Sequence, residues 1–391
     1  MVPFFRRAAA LGAFFALFLS FFSSAEAVST SAGAAILMEA DSGRVLYSQN
    51  IHDPRPIASI TKLMTALVAA ERSPDLDAAV TVDPRAVGVE GSSLYLTAGE
   101  QLSLRDLLYG LMLHSGNDAA AAVAIHCAGE VETFVDWMNQ RAAQLGMAHT
   151  HFMNPSGLDE EGHCSTAYDM ALLAREVLKN PDLAQIVGTK TIRRGQRSLT
   201  NHNKLLWRYQ GCVGLKTGYT QTAGRTLVSA AAREGTTLIC VTLHDPNDWA
   251  DHASLLDYGF AHYKSYLLAR PGKALARLPV AGSLARPLPV VTASPVRACL
   301  TAEEQPTARI LLPQRLEAPV EQGQSVGRLV FYLDGQVVGQ TDLIAAQSAP
   351  CDRPGGLRGL LGAVFRPLLP LPGEDAPLWQ GILSANLTVE V

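Results

Sequence analysis

Ser59-Ile60-Thr61-Lys62 heads the apolar run Leu63-Met64-Thr65-Ala66-Leu67-Val68-Ala69-Ala70, and the reading of this stretch decides the rest of the chain. The run predicts a helix seated in the core. A serine and a lysine three positions apart on a helix share one face, so the hydroxyl and the amine can meet. The helix start adds unpaired N–H groups and the positive end of the dipole, which suit developing negative charge. Burial strips a lysine amine of its solvation and makes it easier to deprotonate. A nucleophile and its base can thus lie within one turn. Ser-x-x-Lys alone is expected about once by chance in a chain this long, so its meaning depends on partners elsewhere.

Two partners follow in order: Ser115-Gly116-Asn117 and Lys216-Thr217-Gly218. Leu104, Leu107, Leu108 and Leu111 recur at helical spacing and lead directly into His114-Ser115-Gly116-Asn117, with an alanine-rich helix after it. The second motif therefore falls in a tight turn between packed helices, and the third falls on a strand. Taken singly, each has a plain structural reading: Ser59 as a helix cap, Ser115 and Asn117 as turn formers, Lys216 as an edge-strand charge. Ser48 to Asn50 and Ser384 to Asn386 repeat the second pattern without context. Taken together and in this order, the three assign jobs. Ser59 Oγ attacks a carbonyl carbon and Lys62 takes its proton. Ser115 relays a proton to the leaving amine, and Asn117 holds a substrate amide. Lys216 brings a positive charge, Thr217 binds a substrate carboxylate, and Gly218 lets the substrate backbone approach the strand. The N–H groups of Ser59 and Tyr219 are the expected oxyanion donors.

Composition narrows the class. The 391 residues allow a sizeable core and two or three domains. With 48% hydrophobic and 17% charged residues the chain is globular rather than disordered. A net charge of −4 without Lys/Arg runs excludes a polyanion-binding field, so no nucleic-acid partner is expected. No Cys-x-x-Cys or His-x-x-x-His spacing suggests a metal, and no cofactor is expected. Arg6-Arg7, the apolar run from Ala8 to Phe22, and Ala25-Glu26-Ala27 form an export signal over residues 1–27, cut after Ala27. The six cysteines of an exported protein permit disulfides without requiring them; Cys127 and Cys240 sit in apolar runs as small buried hydrophobes.

Along the chain, two β-prone runs flank Asp41-Ser42-Gly43 as a hairpin. Helices are expected from Ser59, over 102–113, 118–128, 130–145 and 166–178, the last stopped near Asn180-Pro181. Strands follow from Cys212 to Leu243, and a last helix from Trp249 to Tyr266. About five antiparallel strands with helices between and outside them predict an α/β (α+β) domain over 28–262, its sheet covered on both faces. Residues 268–347 read as a small C-terminal β domain with a hairpin turning at Asp334-Gly335, and 348–391 as a Pro/Gly-rich tail.

The motif set resembles that of the penicillin-binding serine D-alanyl-D-alanine carboxypeptidases, of β-lactamase/penicillin-binding transpeptidase-like fold. The similarity extends to Ala40-Asp41-Ser42-Gly43-Arg44-Val45-Leu46-Tyr47, Asn154-Pro155-Ser156-Gly157-Leu158 and Thr200-Asn201-His202-Asn203, and the β segment 327–339 resembles the family's C-terminal domain. It implies removal of the terminal D-alanine from peptidoglycan stem pentapeptides, covalent inhibition by β-lactams, and action in the cell wall or envelope outside the cytoplasm. Relatives often end in an amphipathic anchor, which makes peripheral membrane contact through the tail an expectation to test, although Gly362, Pro367 and Pro370 interrupt it. Two positions depart from the family: Val213 stands where an Asp is frequent, and Asn247-Asp248-Trp249 lacks a frequent arginine. What holds the terminal carboxylate besides Thr217 is therefore open. The competing readings are a β-lactamase, whose deacylating glutamate would be Glu176, and a non-catalytic β-lactam sensor or wall-binding protein.

Overall fold

The computed structural model describes residues 28–73 and 75–352, together with the backbone of a strand at 387–390. The stretch expected to be an export signal and most of the tail lie outside the described residues. Two strands, β1 (Ala34–Glu39) and β2 (Val45–Gln49), form the hairpin around Gly43, whose φ of 78° glycine adopts without strain. With β3 (Cys212–Thr220), β4 (Gly224–Arg233) and β5 (Thr236–Leu243) they make an antiparallel sheet in the order β2-β1-β5-β4-β3. The strand that carries Lys216-Thr217-Gly218 is thus an edge.

Both faces of this sheet are apolar because alternate residues serve different helices. Ile36, Met38, Val228, Ala230, Ile239 and Val241 join the large core with the helical layer. The other face, with Leu37 and Leu238, meets the helix α7 (Asp248–His262). A Cβ at Gly259 of that helix would lie 2.5 Å from Leu238 Cδ1 and 2.8 Å from Leu37 Cδ2, so only glycine permits this approach. The helix ends at His262, short of the expected Tyr266. Lys264–Ala269 instead pairs as a strand with Val296–Leu300, and these ladder bonds override a pattern that is also compatible with helix.

The helical layer holds α1 (Lys62–Arg72), α2 (Leu104–Tyr109), α3 (Asn117–Ala128), α4 (Val131–Gln144), α5 (Ala167–Lys179) and α6 (Pro181–Gly188). Their starts follow local chemistry. Ser103 and Asp106 close a capping box on α2, and Thr166 accepts a bond from Asp169 N on α5. Asn180-Pro181 does stop α5, but Asn180 also caps α6, with Pro181 in its first turn. The small residues Ala119 to Ala124 bury α3 all round, against α1, α4 and the turn before it.

Beyond His262 a second core forms around Phe331, Leu329, Leu343 and Ile310. It belongs to a six-stranded sheet that contains the hairpin Ser325–Leu333/Gln336–Ala345. Asp334 (φ 49°) and Gly335 (φ 79°) turn this hairpin, as the Asp-Gly pair predicts. The strand Leu387–Glu390 adds to the same sheet, parallel to Thr307–Leu311.

Candidate active site

The turn that holds the candidate nucleophile Ser59 is a single 3₁₀ turn, Ala58–Thr61, and the α-helix proper begins at Lys62. Ala58 has φ 52°, an unfavourable region for a side chain, held in place by its neighbours. Thr226 Oγ1 on β4 donates to Ile57 O at 2.9 Å. A Cβ on Gly157 would lie 2.0 Å from Ala58 O, and one on Gly218 would lie 3.0 Å from Ser59 N and 2.4 Å from Thr226 Oγ1. The side of Gly218 that lacks a side chain therefore faces the protein's own Ser59 turn. Two glycines thus let a loop and an edge strand close around one serine.

Lys62 is fully buried. Its Nζ lies 2.9 Å from Ser59 Oγ, 2.7 Å from Asn117 Oδ1 and 2.5 Å from Ser156 O. Asn117 is oriented by the bond that its Nδ2 donates to Glu90 O at 2.6 Å, which leaves Oδ1 toward the lysine. Burial above all, and then the charge of Lys216, push the Lys62 amine well below its ordinary range, with Asp118 acting weakly in the opposite direction. A neutral amine has two N–H donors and one lone pair. The two carbonyl oxygens would take both donors of such an amine and leave its lone pair toward Ser59 Oγ, 2.9 Å away.

Lys216, also buried, donates from Nζ to Thr217 O at 2.8 Å, and burial pushes its pKa down to about 7. Ser115 ends a π-helical turn, Gly110–His114, in the left-handed region at φ 65°. It lines the same cavity as Ser59, but among the described residues its Oγ makes no hydrogen bond, and the third partner of Lys62 is the carbonyl of Ser156. That carbonyl was missed in the sequence because a backbone acceptor leaves no residue-type signal. Asp118 was also missed: its carboxylate accepts from Leu94 N, Leu96 N and Ser93 Oγ, and so pins the loop at 90–97 over the second motif.

The cavity at Ser59 measures about 380 Å³ and is lined by Ser59, Ser92, Ser115, His202, Lys204, Thr217, Gly218, Tyr219, Arg225, Asp248 and Trp249. At the stretch without an arginine, the structure places one from β4: Arg225 Nη2 donates to both oxygens of Asp248 at 2.8 Å. Val213 lies beside a close approach of β3 to α6, where a Cβ on Gly188 would meet Val213 O at 2.9 Å. Glu176 does not enter the cavity; it pairs with Lys179 on its own helix α5 at 2.6 Å and with Arg141 of α4 at 3.8 Å. Among the described residues no group of three or more His, Cys, Asp or Glu is placed to hold a metal ion.

A strained serine turn, a buried lysine within hydrogen-bond reach of the hydroxyl, and an open edge strand define a serine acyl-transfer enzyme of the penicillin-binding and β-lactamase fold. Comparison with known proteins narrows this. The Peptidase S11 model, D-alanyl-D-alanine carboxypeptidase, matches residues 22–247, and the model of the penicillin-binding protein 5 C-terminal domain matches 263–350. The chain is 32% identical over 331 residues to D-alanyl-D-alanine carboxypeptidase DacF of Bacillus subtilis, covering 81% of this chain and 85% of that protein. It is 33% identical over 340 residues to DacA of Escherichia coli, covering 81% and 83%. A crystal structure of penicillin-binding protein 5 from Haemophilus influenzae superposes with a TM-score of 0.71 at 29% identity, over 82% of this chain and 98% of that one. The chain belongs to the penicillin-binding D-alanyl-D-alanine carboxypeptidase family, serine peptidases that act on the cell wall.

Proposed function

We propose that Ser59 is the nucleophile that removes the terminal D-alanine from peptidoglycan stem pentapeptides. Ser59 Oγ attacks the carbonyl carbon of the penultimate residue as its proton passes to the neutral Lys62 amine. The N–H groups of Ser59 and Tyr219 receive the oxyanion; one such donor is worth about 3 kcal/mol in the transition state. The C–N bond then breaks, and the leaving D-alanine takes the proton from Lys62 by way of Ser115. Water cleaves the acyl ester by the reverse route. Asn117 and Lys216 hold the substrate and the charge balance around this path, while Thr217 and Gly218 sit along the strand against which the peptide lies.

The observation that carries the reading is the bonding of Lys62. Two carbonyl acceptors fix the amine 2.9 Å from Ser59 Oγ, where the lone pair of the deprotonated amine would meet the nucleophile. The β-lactamase alternative lacks its base, because Glu176 is engaged with Lys179 and with Arg141 of α4 and does not line the cavity. The test is D-alanine release from an N-acylated pentapeptide, with nitrocefin turnover and fluorescent-penicillin labelling alongside. Wild type should release D-alanine and turn over nitrocefin negligibly, and Ser59→Ala should lose both release and labelling. Stoichiometric labelling of Ser59→Ala would sink the assignment.

We further propose export with removal of residues 1–27, and peripheral membrane contact through the tail. Among the described residues no helix is long and apolar enough to cross a membrane. Sequencing the mature N-terminus checks the first, since a Met1 start would exclude cleavage. Liposome flotation checks the second.

A further inference from the structure

We propose that Ser31, Asp245 and Asp251 form a latch closed by one proton held between the two carboxyl groups, and that it fastens one wall of the catalytic cavity to the segment entering β1. Ser31 and Asp245 are neighbours because Ala34 pairs with Leu243 where β1 meets the end of β5, and Gly33 N donates to Leu243 O and His244 O, each at 3.0 Å. Ser31 Oγ lies 2.7 Å from Asp251 Oδ2 and 3.1 Å from Asp245 Oδ1. A hydroxyl has one hydrogen to give. With both carboxylates ionised, one of these contacts sets oxygen lone pairs against each other. A proton on Asp245 Oδ1 removes the conflict: Asp245 donates to Ser31 Oγ, and Ser31 donates to Asp251 Oδ2. Backbone donors complete the arrangement, with Ser31 N on Asp251 Oδ2 at 2.6 Å and Asn247 N on Asp245 Oδ1 at 2.9 Å.

The surroundings do not neutralise the pair. Asp245 is 1% exposed, and its Oδ2 is buried without a hydrogen bond. Among the described residues neither carboxylate pairs with a lysine or arginine, and Arg225 on β4 is engaged with Asp248. From β5 the group faces Thr242 and the buried Cys240 thiol, which burial keeps protonated. Beyond Thr242 lies His252 of α7, kept neutral by burial, and His244 precedes the group with Nδ1 at 3.1 Å from Ala223 O. Burial above all, and then the charge of Asp251, raises the Asp245 carboxyl to about 6. The folded chain thus holds this proton more tightly than the unfolded one, so the stabilisation is full below about pH 4 and is lost as the pH rises through 6. Capping of α7 accounts for Asp248 and Asp251 in its first turn; it does not account for a third carboxyl buried beside them.

One short loop carries the effect to the cavity. Asp245 N donates to Arg225 O at 2.9 Å, and Asp248 and Trp249 follow at the start of α7. Arg225, Asp248 and Trp249 all line the cavity that contains Ser59. Ionisation of the pair loosens the loop that places them, and substrate affinity falls with it.

The test follows the thermal midpoint of the mature protein from pH 5 to 8, with and without millimolar CaCl2, in wild type and in Asp245→Asn, whose amide supplies a donor at every pH. Subtracting one curve from the other removes the buried histidines and Lys216, which titrate in both proteins. The advantage of the variant over wild type should grow by about 3–6 °C across this range. KM for D-alanine release should rise by about 3-fold or more from pH 6 to 8 in wild type relative to the variant, with the ratio of kcat values constant within about 2-fold. Should Asp245→Asn fail to fold, Asp251→Asn carries the same comparison, with the growth about halved. A midpoint difference flat within about 1 °C overturns the shared proton. Recovery of wild-type stability at pH 8 by calcium, absent in the variant, overturns it in favour of a bound cation. A growing midpoint difference with an unchanged KM ratio overturns the link to the cavity. The KM comparison rests on the function proposed above and the midpoints do not, so a protein that releases no D-alanine overturns that function while the midpoints still decide the latch.

Discussion

The two sheets of this molecule bury very different things. Behind the Ser59 sheet lie Lys62, Asp118, Asp169, Lys216, Asp248, His163 and His252, all nearly or fully buried. In the β region built around Phe331 no charged residue of the described residues is buried as a whole, although the Lys273 amine is, and the buried polar residues are Ser283, Thr292 and Thr341. Both are largely antiparallel sheets with apolar cores, the second with one parallel edge strand, so strand pairing does not account for the difference. The first region accepts the desolvation of charged groups because an amine must be neutral beside a serine; the second has no such requirement and is packed as a scaffold. If this is right, substitutions in the two regions should separate activity from stability in opposite directions.

The largest effect is expected at Lys62. Lys62→Met keeps the volume and removes the base, and kcat/KM for D-alanine release should fall by at least about 10³-fold. Stability should move by no more than about 1 kcal/mol, because the lost desolvation penalty offsets the orphaned acceptors on Asn117 and Ser156. A thermal midpoint far below wild type would mean that the lysine is structural. In the second sheet Phe331→Ala should do the reverse: about 3–5 kcal/mol of stability lost in denaturant titration, with penicillin-labelling stoichiometry per folded molecule unchanged. A loss of labelling in the folded fraction would show that the β domain shapes the site.

How far the sequence foretold this arrangement depends on whether a feature is local. Ser59 and Lys62 were legible because one helical turn brings them together, and both hairpins because Asp-Ser-Gly and Asp-Gly state their turns. Asn117 was recognised as a site residue, but its bond to Lys62 spans 55 positions and no local pattern encodes it. The carbonyl of Ser156 and the pairing of Arg225 with Asp248 were not legible for the same reason. Each depends on tertiary placement, and the first involves a backbone atom common to every residue type. The last helix overran in the reading because Tyr263 to Ala269 has no breaker, and only its partner strand decides its form.

A smaller effect comes from acid. His252 bridges Ser229 Oγ at 2.6 Å and Thr242 Oγ1 at 3.0 Å, and burial lowers its pKa to about 3; burial lowers that of His163 to about 4. Both folded values lie below the unfolded value near 6.5. The unfolded chain therefore binds more protons across this window. The stability these neutral histidines contribute is fully present above pH 6.5 and is lost as the pH falls toward 4 and then 3. The loss is about half of 1.4 kcal/mol per pH unit for each histidine near pH 6.5 and approaches about 1.4 near pH 5. Because both belong to the Ser59 region, calorimetry from pH 7 to 5 should show the transition that carries penicillin binding move down while the other holds. Equal shifts of both would break the contrast.

The smallest effect is expected where the two regions meet. Arg44, beside the first hairpin's glycine, pairs with Glu304, donates from Nη1 to Cys299 O at 2.6 Å and lies 5.3 Å over the Tyr263 ring. Its side chain is 18% exposed and that of Glu304 24%, so the ion pair is partly screened and contributes modestly. Arg44→Ala should cost about 1–2 kcal/mol, most of it from the unpaired Cys299 carbonyl and the lost ring contact. Because this contact joins a region that bears the chemistry to one that does not, its loss should leave kcat/KM for D-alanine release within about 2-fold while the two thermal transitions move apart. A larger fall in activity with the transitions still together would show that the β domain acts on the catalytic sheet through the first hairpin, and the division between a reactive region and a scaffold would have to be given up.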